Sequence, residues 1–285
     1  MSKVALFGST GLLGSYIQQL NPEIHFVCFR GDIRDKDSVR SFLLAEGDAS
    51  AVFHLAALVP KQVVDNDPKL AVEVNVEGTL NILEGIRGLG EKAPWLFYAS
   101  TSHVYASNDK AIVEDSKLDP YTYYGLTKLQ GEEWCNTFRK QYGLKIGIGR
   151  IFSYSDVKQS SEYFLPAMFK KIHNAENGEN LLFSGVNGAR DFLRVGQIDR
   201  AISMLAKIHF DGIVNIGTGK GTHLFSAIAE IAQILGREDL KLEAAPDQPT
   251  SHIAETTRLN GLGIDLKPEV NLLITDLSKN YLRQI

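Results

Sequence analysis

An apolar run, Val4-Ala5-Leu6-Phe7, gives way at Gly8-Ser9-Thr10-Gly11-Leu12-Leu13-Gly14 to a stretch with helical spacing. A strand that turns through glycines straight into a helix is the opening of a strand–helix–strand unit. Glycines at such a turn reach backbone dihedrals closed to other residues and let the chain approach a phosphate closely. Amides left unpaired at the helix start, aided by the helix dipole, then face the negative charge. The spacing here is G-x-x-G-x-x-G rather than the G-x-G-x-x-G of the common dinucleotide fingerprint. A glycine-rich turn also serves any tight connection. Its place after the first strand of an alternating pattern favours a dinucleotide pyrophosphate, held by Gly8, Thr10, Gly11, Leu12, Leu13 and Gly14.

Short apolar runs alternate with longer helix-period segments through the first half of the chain, the pattern of a doubly wound parallel α/β sheet with helices on both faces. The spacing predicts strands near 3–7, 24–29, 51–56, 95–100 and 145–152, and helices near 12–20, 36–45, 68–89 and 122–141. Asp67 can cap the third helix and Pro68 suits its first turn. Beyond residue 152 the rhythm loosens. Helices near 162–175, 198–208 and 224–236 and strands near 181–184, 191–195 and 213–216 are expected there. The expected organisation is a dinucleotide-binding domain of residues 1–152 plus about 196–220, with 153–195 and 221–285 forming a smaller, interwoven substrate lobe.

With 285 residues, 44% of them hydrophobic and 22% charged, the chain can bury a substantial core. A net charge of −4 without runs of like charge gives no reason to expect a nucleic-acid or membrane partner. The apolar stretches are strand-sized, so no transmembrane helix is expected, and Met1-Ser2-Lys3 leads into the first strand without a long apolar signal region. Cys28 lies in an apolar run and Cys135 in a helical stretch, which favours buried thiols over a disulfide or a metal site. A reducing, cytoplasmic location fits, and the scattered histidines make no metal-ligand spacing.

The end of the second strand is where an acidic residue would bind the adenosine ribose hydroxyls, or an arginine a 2′-phosphate. Arg30 occupies that place, favouring NADP(H) over NAD(H) as the NAD(P) cofactor, although an arginine at a strand end can also be merely exposed. Asp32 follows closely, to touch the adenine or to cap a turn.

The second constellation is Tyr124-Gly125-Leu126-Thr127-Lys128. Tyr124 and Lys128 are four apart on an expected helix and share one face. A phenol with a reference pKa of about 10 is a poor base at neutral pH, and a neighbouring ammonium stabilises its anion. The lysine can also reach ribose hydroxyls. Tyr154 and Lys158 repeat the spacing without a helical pattern around them, which marks that copy as coincidence. One strand-to-helix unit before Tyr124, the strand 95–100 ends in Thr101-Ser102-His103, where a hydroxyl would meet a reacting oxygen beside the tyrosine.

These residues together resemble the extended short-chain dehydrogenase/reductases, the family of nucleotide-sugar epimerases, dehydratases and 4-keto reductases built on a Rossmann domain. The likeness extends through Asp32-Ile33-Arg34-Asp35, His54-Leu55-Ala56-Ala57, Asn75-Val76-Glu77-Gly78-Thr79, Ser100 to Tyr105, Arg190-Asp191-Phe192 and Asn215-Ile216-Gly217. The resemblance implies that Thr101 orients the substrate oxygen, Tyr124 is the acid–base and Lys128 holds the ribose. It further implies that Asp32 and Ile33 meet the adenosine, that Leu55, Ala56 and Ala57 line the cofactor, and that Arg190 reaches the diphosphate of a nucleotide sugar. His103 would stand next to the substrate, as a polar lining residue rather than a second acid–base. Where dehydratases carry Asp-Glu after the threonine, this chain has Ser102-His103, so dehydratase chemistry is not expected. Phe152-Ser153-Tyr154 and Thr256-Thr257-Arg258 also depart from the family pattern on the substrate side.

The implied activity is hydride transfer at a sugar hydroxyl or ketone, as a 4-keto reductase or a 4-epimerase. The alternatives are a dehydrogenase of a non-nucleotide alcohol or aldehyde, and a non-catalytic NAD(P)-binding sensor or scaffold. A homodimer, paired through segments 68–89 and 122–141, is the expected assembly.

Overall fold

Val4, Leu6, Ala51 and Phe53 alternate along their strands with Ala5, Phe7 and Val52, and all are buried, so both faces of the sheet that they build are covered. The computed structural model describes residues 3–283 except Pro60 and Asp109. The chain divides into two compact units. The first comprises residues up to Ala106, Glu114–Ile151 and Ile198–Ile216; the second comprises Ser107–Val113, Phe152–Gln197 and the segment from Gly217 onward.

The first unit opens with β1 (Lys3–Phe7), α1 (Leu12–Leu20), β2 (His25–Cys28), α2 (Lys36–Ala45) and β3 (Ala51–His54). The helices α3 (Lys61–Asn66), α4 (Pro68–Val72) and α5 (Gly78–Arg87) precede β4 (Trp95–Thr101), and α6 (Tyr123–Tyr142) leads to β5 (Ile146–Ile151). Later elements are β6 (Tyr154–Ser155), α7 (Phe164–His173), β7 (Asn180–Phe183), β8 (Ala189–Asp191), β9 (Leu193–Arg194), α8 (Val195–Lys207) and β10 (Gly212–Ile216). Among the described residues, six strands form one parallel sheet in the order β2-β1-β3-β4-β5-β10. The order reverses at β1, which pairs with β2 on one side and β3 on the other. In doubly wound sheets that reversal opens a crevice at the carboxyl ends of the strands, where ligands bind. One face is packed by Val39 and Leu43 of α2, Ile82, Leu83 and Ile86 of α5, and Cys135 and Phe138 of α6.

The long helix expected over 68–89 is interrupted. Between α4 and α5, Glu73–Glu77 winds as a π-helical turn, a feature that periodicity alone does not announce. Asn75 in that turn is buried. Its Oδ1 accepts from the Leu58 N–H at 2.7 Å, and its Nδ2 donates to the Leu58 carbonyl at 3.1 Å and to Thr127 Oγ1 at 3.0 Å. A side-chain clamp between the segment after β3 and α6 therefore hangs on the extra residue in the turn.

In the second unit, β8 pairs antiparallel with β11 (Gly221–His223), and β7 pairs parallel with β12 (Lys241–Ala244). Leu165, Phe169 and Ile172 of α7 pack with Ile228 and Ile231 of α9 (Leu224–Ile234), and α10 (Thr257–Gly261) and α11 (Val270–Leu282) close the chain. The sequence expectations ended at residue 236. Yet Val270, Leu273, Ile274 and Leu277 carry the period of α11, and the last three are buried in this core.

One buried ion pair ties α6 to the sheet. Glu132 Oε2 meets Arg150 Nη2 at 2.6 Å, with side-chain exposures of 1% and 2%. The Ser100 hydroxyl donates to the same carboxylate. Arg150 Nη1 donates to the Tyr105 hydroxyl and the Glu114 carbonyl, both at 2.8 Å, and Tyr105 donates to Asn215 Oδ1 at 2.7 Å. Removing one partner strands a buried charge, which costs about 3–5 kcal/mol. Arg150→Met or Glu132→Leu alone is therefore expected to lower the unfolding free energy in urea by about that amount, and the double replacement to recover much of it.

Candidate active site

The glycine loop is a cradle in which side chains have no room. Gly8 has φ +90°, and a Cβ there would lie 2.5 Å from the Ala56 nitrogen and 2.7 Å from the Leu55 carbonyl carbon. A Cβ at Gly14 would overlap the Gly8 carbonyl. Gly11 is the N-cap of α1, its N–H bonded to the Gly8 carbonyl at 3.2 Å, and it has no side chain to occupy the amides of the first turn. Gln18 Nε2 ties down the Ser9 and Gly14 carbonyls at 3.0 and 2.8 Å, which holds the loop's shape. Thr10 and Gly11 are exposed, and Leu12, Leu13, Leu55, Ala56 and Ala57 are half-buried. Amides without competing carboxylates, at the crevice of a doubly wound sheet, fit a dinucleotide pyrophosphate.

Two residues past β2, Arg30 is exposed, while Phe29 before it is buried. Asp32, two residues on, is also exposed but ion-paired. Arg34 Nε and Nη2 grip its carboxylate at 2.6–3.1 Å, and hydrogen bonding to that guanidinium holds the Asp32 carboxyl below its usual range. Arg34 Nη1 reaches on to Glu73 at 3.1 Å. The Ile33 side chain is buried where a Cβ on Gly78 would strike it, so it packs in the core.

At the other end of the crevice, β4 finishes at Thr101, whose Oγ1 accepts from the His103 N–H at 3.3 Å and caps the short 3-10 turn Ser102–Val104. The Thr101 hydroxyl keeps its own proton for another acceptor. Thr122 caps α6 by accepting from the Gly125 N–H at 3.0 Å. Gly125 in turn lies so close to the His103 carbonyl that a Cβ would overlap it. This contact presses the first turn of α6 onto the end of β4. The Tyr124 ring consequently meets the His103 ring edge-on at 6.0 Å, with Tyr121 stacked on His103 at 6.3 Å.

One turn further along α6, Lys128 is only 1% exposed. Burial brings its amine down to about 7. Its Nζ stands 4.0 Å over the Tyr98 ring, a contact that no spacing in the sequence announces. His54 is buried and bonds Thr79 Oγ1 through Nε2 at 2.9 Å. Because Thr79 donates its own proton to the Asn75 carbonyl at 2.7 Å, His54 Nε2 is the donor. Burial holds the imidazole well below the usual histidine range, so it is neutral.

The structure thus places Thr101, His103, Tyr124 and Lys128 in the first unit, with His103 between Thr101 and the Tyr124 ring and Lys128 one turn further along α6. Arg190 belongs to the second unit, where Nη1 donates to the Ala189 carbonyl at 3.0 Å and to the Thr250 carbonyl, and Nη2 to Thr250 Oγ1 at 3.0 Å. Beside it, Asp191 accepts from the Thr218, Gly219 and Ala254 amides at 2.9–3.3 Å. Tyr154 lies in β6 and Lys158 beyond it in a turn, so that second tyrosine–lysine pair is not helical.

Residues 4–217 match the NAD dependent epimerase/dehydratase family. This chain belongs to that family. It is an NAD(P)-dependent enzyme of the extended short-chain dehydrogenase/reductase type, as the motifs implied. Among curated proteins it is similar to the UDP-glucuronate 4-epimerase of Thermodesulfobacterium geofontis, with 30% identity covering 80% of this chain and 69% of the relative. The GDP-6-deoxy-D-mannose reductase of Pseudomonas aeruginosa is 25% identical, covering 93% and 91% of the two chains. The structure of RMD from Pseudomonas aeruginosa complexed with NADPH superposes with a TM-score of 0.87 at 19% identity over the whole of both chains, a likeness of fold. Among the described residues, no helix of this family member is long and apolar enough to cross a membrane.

In this epimerase/dehydratase relative, Gly14→Ala would force the Gly8 carbonyl aside, an overpacking cost of about 1–3 kcal/mol. Isothermal titration is expected to show dinucleotide affinity weakened by about tenfold or more, with the thermal transition still cooperative.

Proposed function

We propose that this enzyme moves a hydride between NAD(P) and a hydroxyl or keto carbon of a nucleotide-linked sugar. The placement of Thr101 at the carboxyl end of β4 and of Tyr124 and Lys128 on the first two turns of α6, in the unit that carries the glycine cradle, supports the reading most directly. The dinucleotide, when bound, supplies or accepts the hydride at its nicotinamide ring. Tyr124 exchanges the proton on the sugar oxygen, giving it up when a ketone is reduced and taking it when an alcohol is oxidised. Thr101 donates a hydrogen bond to the same oxygen. Lys128 holds the ribose and, as a cation, stabilises the Tyr124 phenolate. His103 lines the sugar site through its packing on Tyr124. Arg190, in the second unit, is the proposed contact of the diphosphate, through a planar guanidinium already fixed by the Thr250 backbone.

The cofactor in this reading is NADP(H). Arg30 is exposed past the end of β2, and the carboxylate two residues on, Asp32, is ion-paired with Arg34, which offsets its repulsion of a 2′-phosphate. That preference favours a 4-keto reductase, which consumes NADPH, over a 4-epimerase, which returns the hydride. A homodimer paired through α6 and the helices of residues 68–87, in the cytoplasm, completes the reading; Tyr123, Leu126 and Trp134 expose apolar surface along α6.

Tyr124→Phe is expected to keep cofactor affinity and lose about 10²–10⁴-fold in turnover, as measured on a panel of nucleotide sugars. Unchanged turnover would remove the acid–base assignment. Under the same conditions, net loss of NADPH absorbance marks a reductase, and product without such loss an epimerase. Arg30→Ala is expected to weaken NADPH binding by about tenfold and leave NADH nearly unaffected, since a hydrogen bond to a charged group is worth about 1.5–3 kcal/mol. Equal effects on both cofactors would remove the NADP(H) preference.

A further inference from the structure

A lysine ammonium buried as fully as that of Lys128 is costly unless the fold offers it an attractive partner. Glu132, one turn along α6, is the nearest carboxylate in sequence. Its oxygens are already taken by Arg150 Nε and Nη2 at 2.6–3.1 Å and by the Ser100 hydroxyl. Beneath Nζ lies instead the face of Tyr98, whose negative quadrupole attracts a cation, most strongly where water is excluded. The Tyr98 hydroxyl donates to the Lys128 carbonyl at 3.3 Å. That reach is possible because residue 131 is glycine: a Cβ at Gly131 would overlap the phenol oxygen. A single side chain of β4 thus grips both the backbone and the ammonium of one residue on α6.

We propose that Tyr98 is a positioning residue of this enzyme, its ring face seating the Lys128 ammonium beside Tyr124 and the cofactor ribose. The inference rests on the catalytic reading of Lys128 given above. The titratable groups around Lys128 and the Tyr98 ring are His54 from β3, Tyr98 from β4, and Glu132 and Cys135 on α6, with Tyr124 acting on Tyr98 and Arg150 of β5 beyond Glu132. Burial pushes His54 down and Cys135 and Tyr98 up, so these three are neutral near pH 7. The Glu132 charge is matched by Arg150. The cation is held against desolvation by the Coulombic pull of Glu132 one turn away and, in direct contact, by the ring. Weakening the ring's negative face moves the Lys128 titration, already brought down to about 7 by burial, further down. The protonated amine, and the activity that needs it, are then lost at a lower pH.

The test compares full-length wild type with Tyr98→Phe, with a ring-fluorinated phenylalanine at the same position, and with Tyr98→Leu. Phe keeps the ring face and drops only the hydroxyl. Fluorination keeps the shape of phenylalanine and drains the negative face. The Lys128 amine is titrated by NMR of its Nζ signal, assigned with Lys128→Met, and the pH profile of kcat is recorded in parallel. Tyr98→Phe is expected to leave the midpoint close to wild type. The fluorinated and leucine variants are expected to lower it by about one pH unit, with about fivefold less turnover at neutral pH and recovery in mildly acidic buffer. A midpoint unchanged between the phenylalanine and its fluorinated analogue overturns the proposal, even if Tyr98→Leu fails to fold. Absence of hydride transfer by the wild type would instead sink the functional reading, and the NMR titration would still decide whether the ring holds the ammonium.

Discussion

Removing charge from water is the constraint around which the first unit is organised. Lys128, Glu132 and Arg150 are all buried, two of them on a single helix, and each must find its compensation inside the protein. Glu132 and Arg150 find it in each other and in Ser100, so α6 is fastened to β4 and β5 at a defined height. That fastening lies two turns along the helix from Tyr124 and next in sequence to Thr101, so the register of the ion pair is also the register of the site. Had α6 slid by one turn, Glu132 would lose its partner and Lys128 would leave the Tyr98 ring. Electrostatics that would be worth little at the surface here selects one arrangement.

Close backbone approach is the second element of the design, and glycine supplies it at both ends of the crevice. Gly8 and Gly14 let the loop after β1 pack on itself and on the segment after β3. Gly125 and Gly131 do the same for α6 against the end of β4 and against Tyr98. The cofactor cradle and the proton-transfer group therefore depend on one kind of contact, in which a missing Cβ brings hydrogen-bonding and ionisable groups within reach.

Much of this was legible from residue order. The six parallel strands lie close to where apolar runs were expected, because central strands such as β1, β3 and β4, covered on both faces, are written as continuous apolar segments. Thr101, Tyr124 and Lys128 could be singled out because a helical spacing of four and a strand end are local features. The π turn at Glu73–Glu77 could not, since the five residues of α4 before it are too few to establish a phase against which the shift would show. Tyr98 reads as one more core aromatic between Phe97 and Ala99. Helix α11 did carry its stripe in the sequence, but the short strands and turns before it hid where regular structure resumes.

Residue order by itself determined the local chemistry of this protein: where the chain must turn through glycine, which strands are buried on both faces, and that a phenol and an amine share a helix face. Those properties follow from backbone sterics and helix pitch, which act over a few residues. Only the tertiary structure decided what surrounds the amine and that Glu132 answers to Arg150. Each of these depends on how far water is excluded from a charge, and burial is a property of the packed whole rather than of any neighbouring pair in the chain.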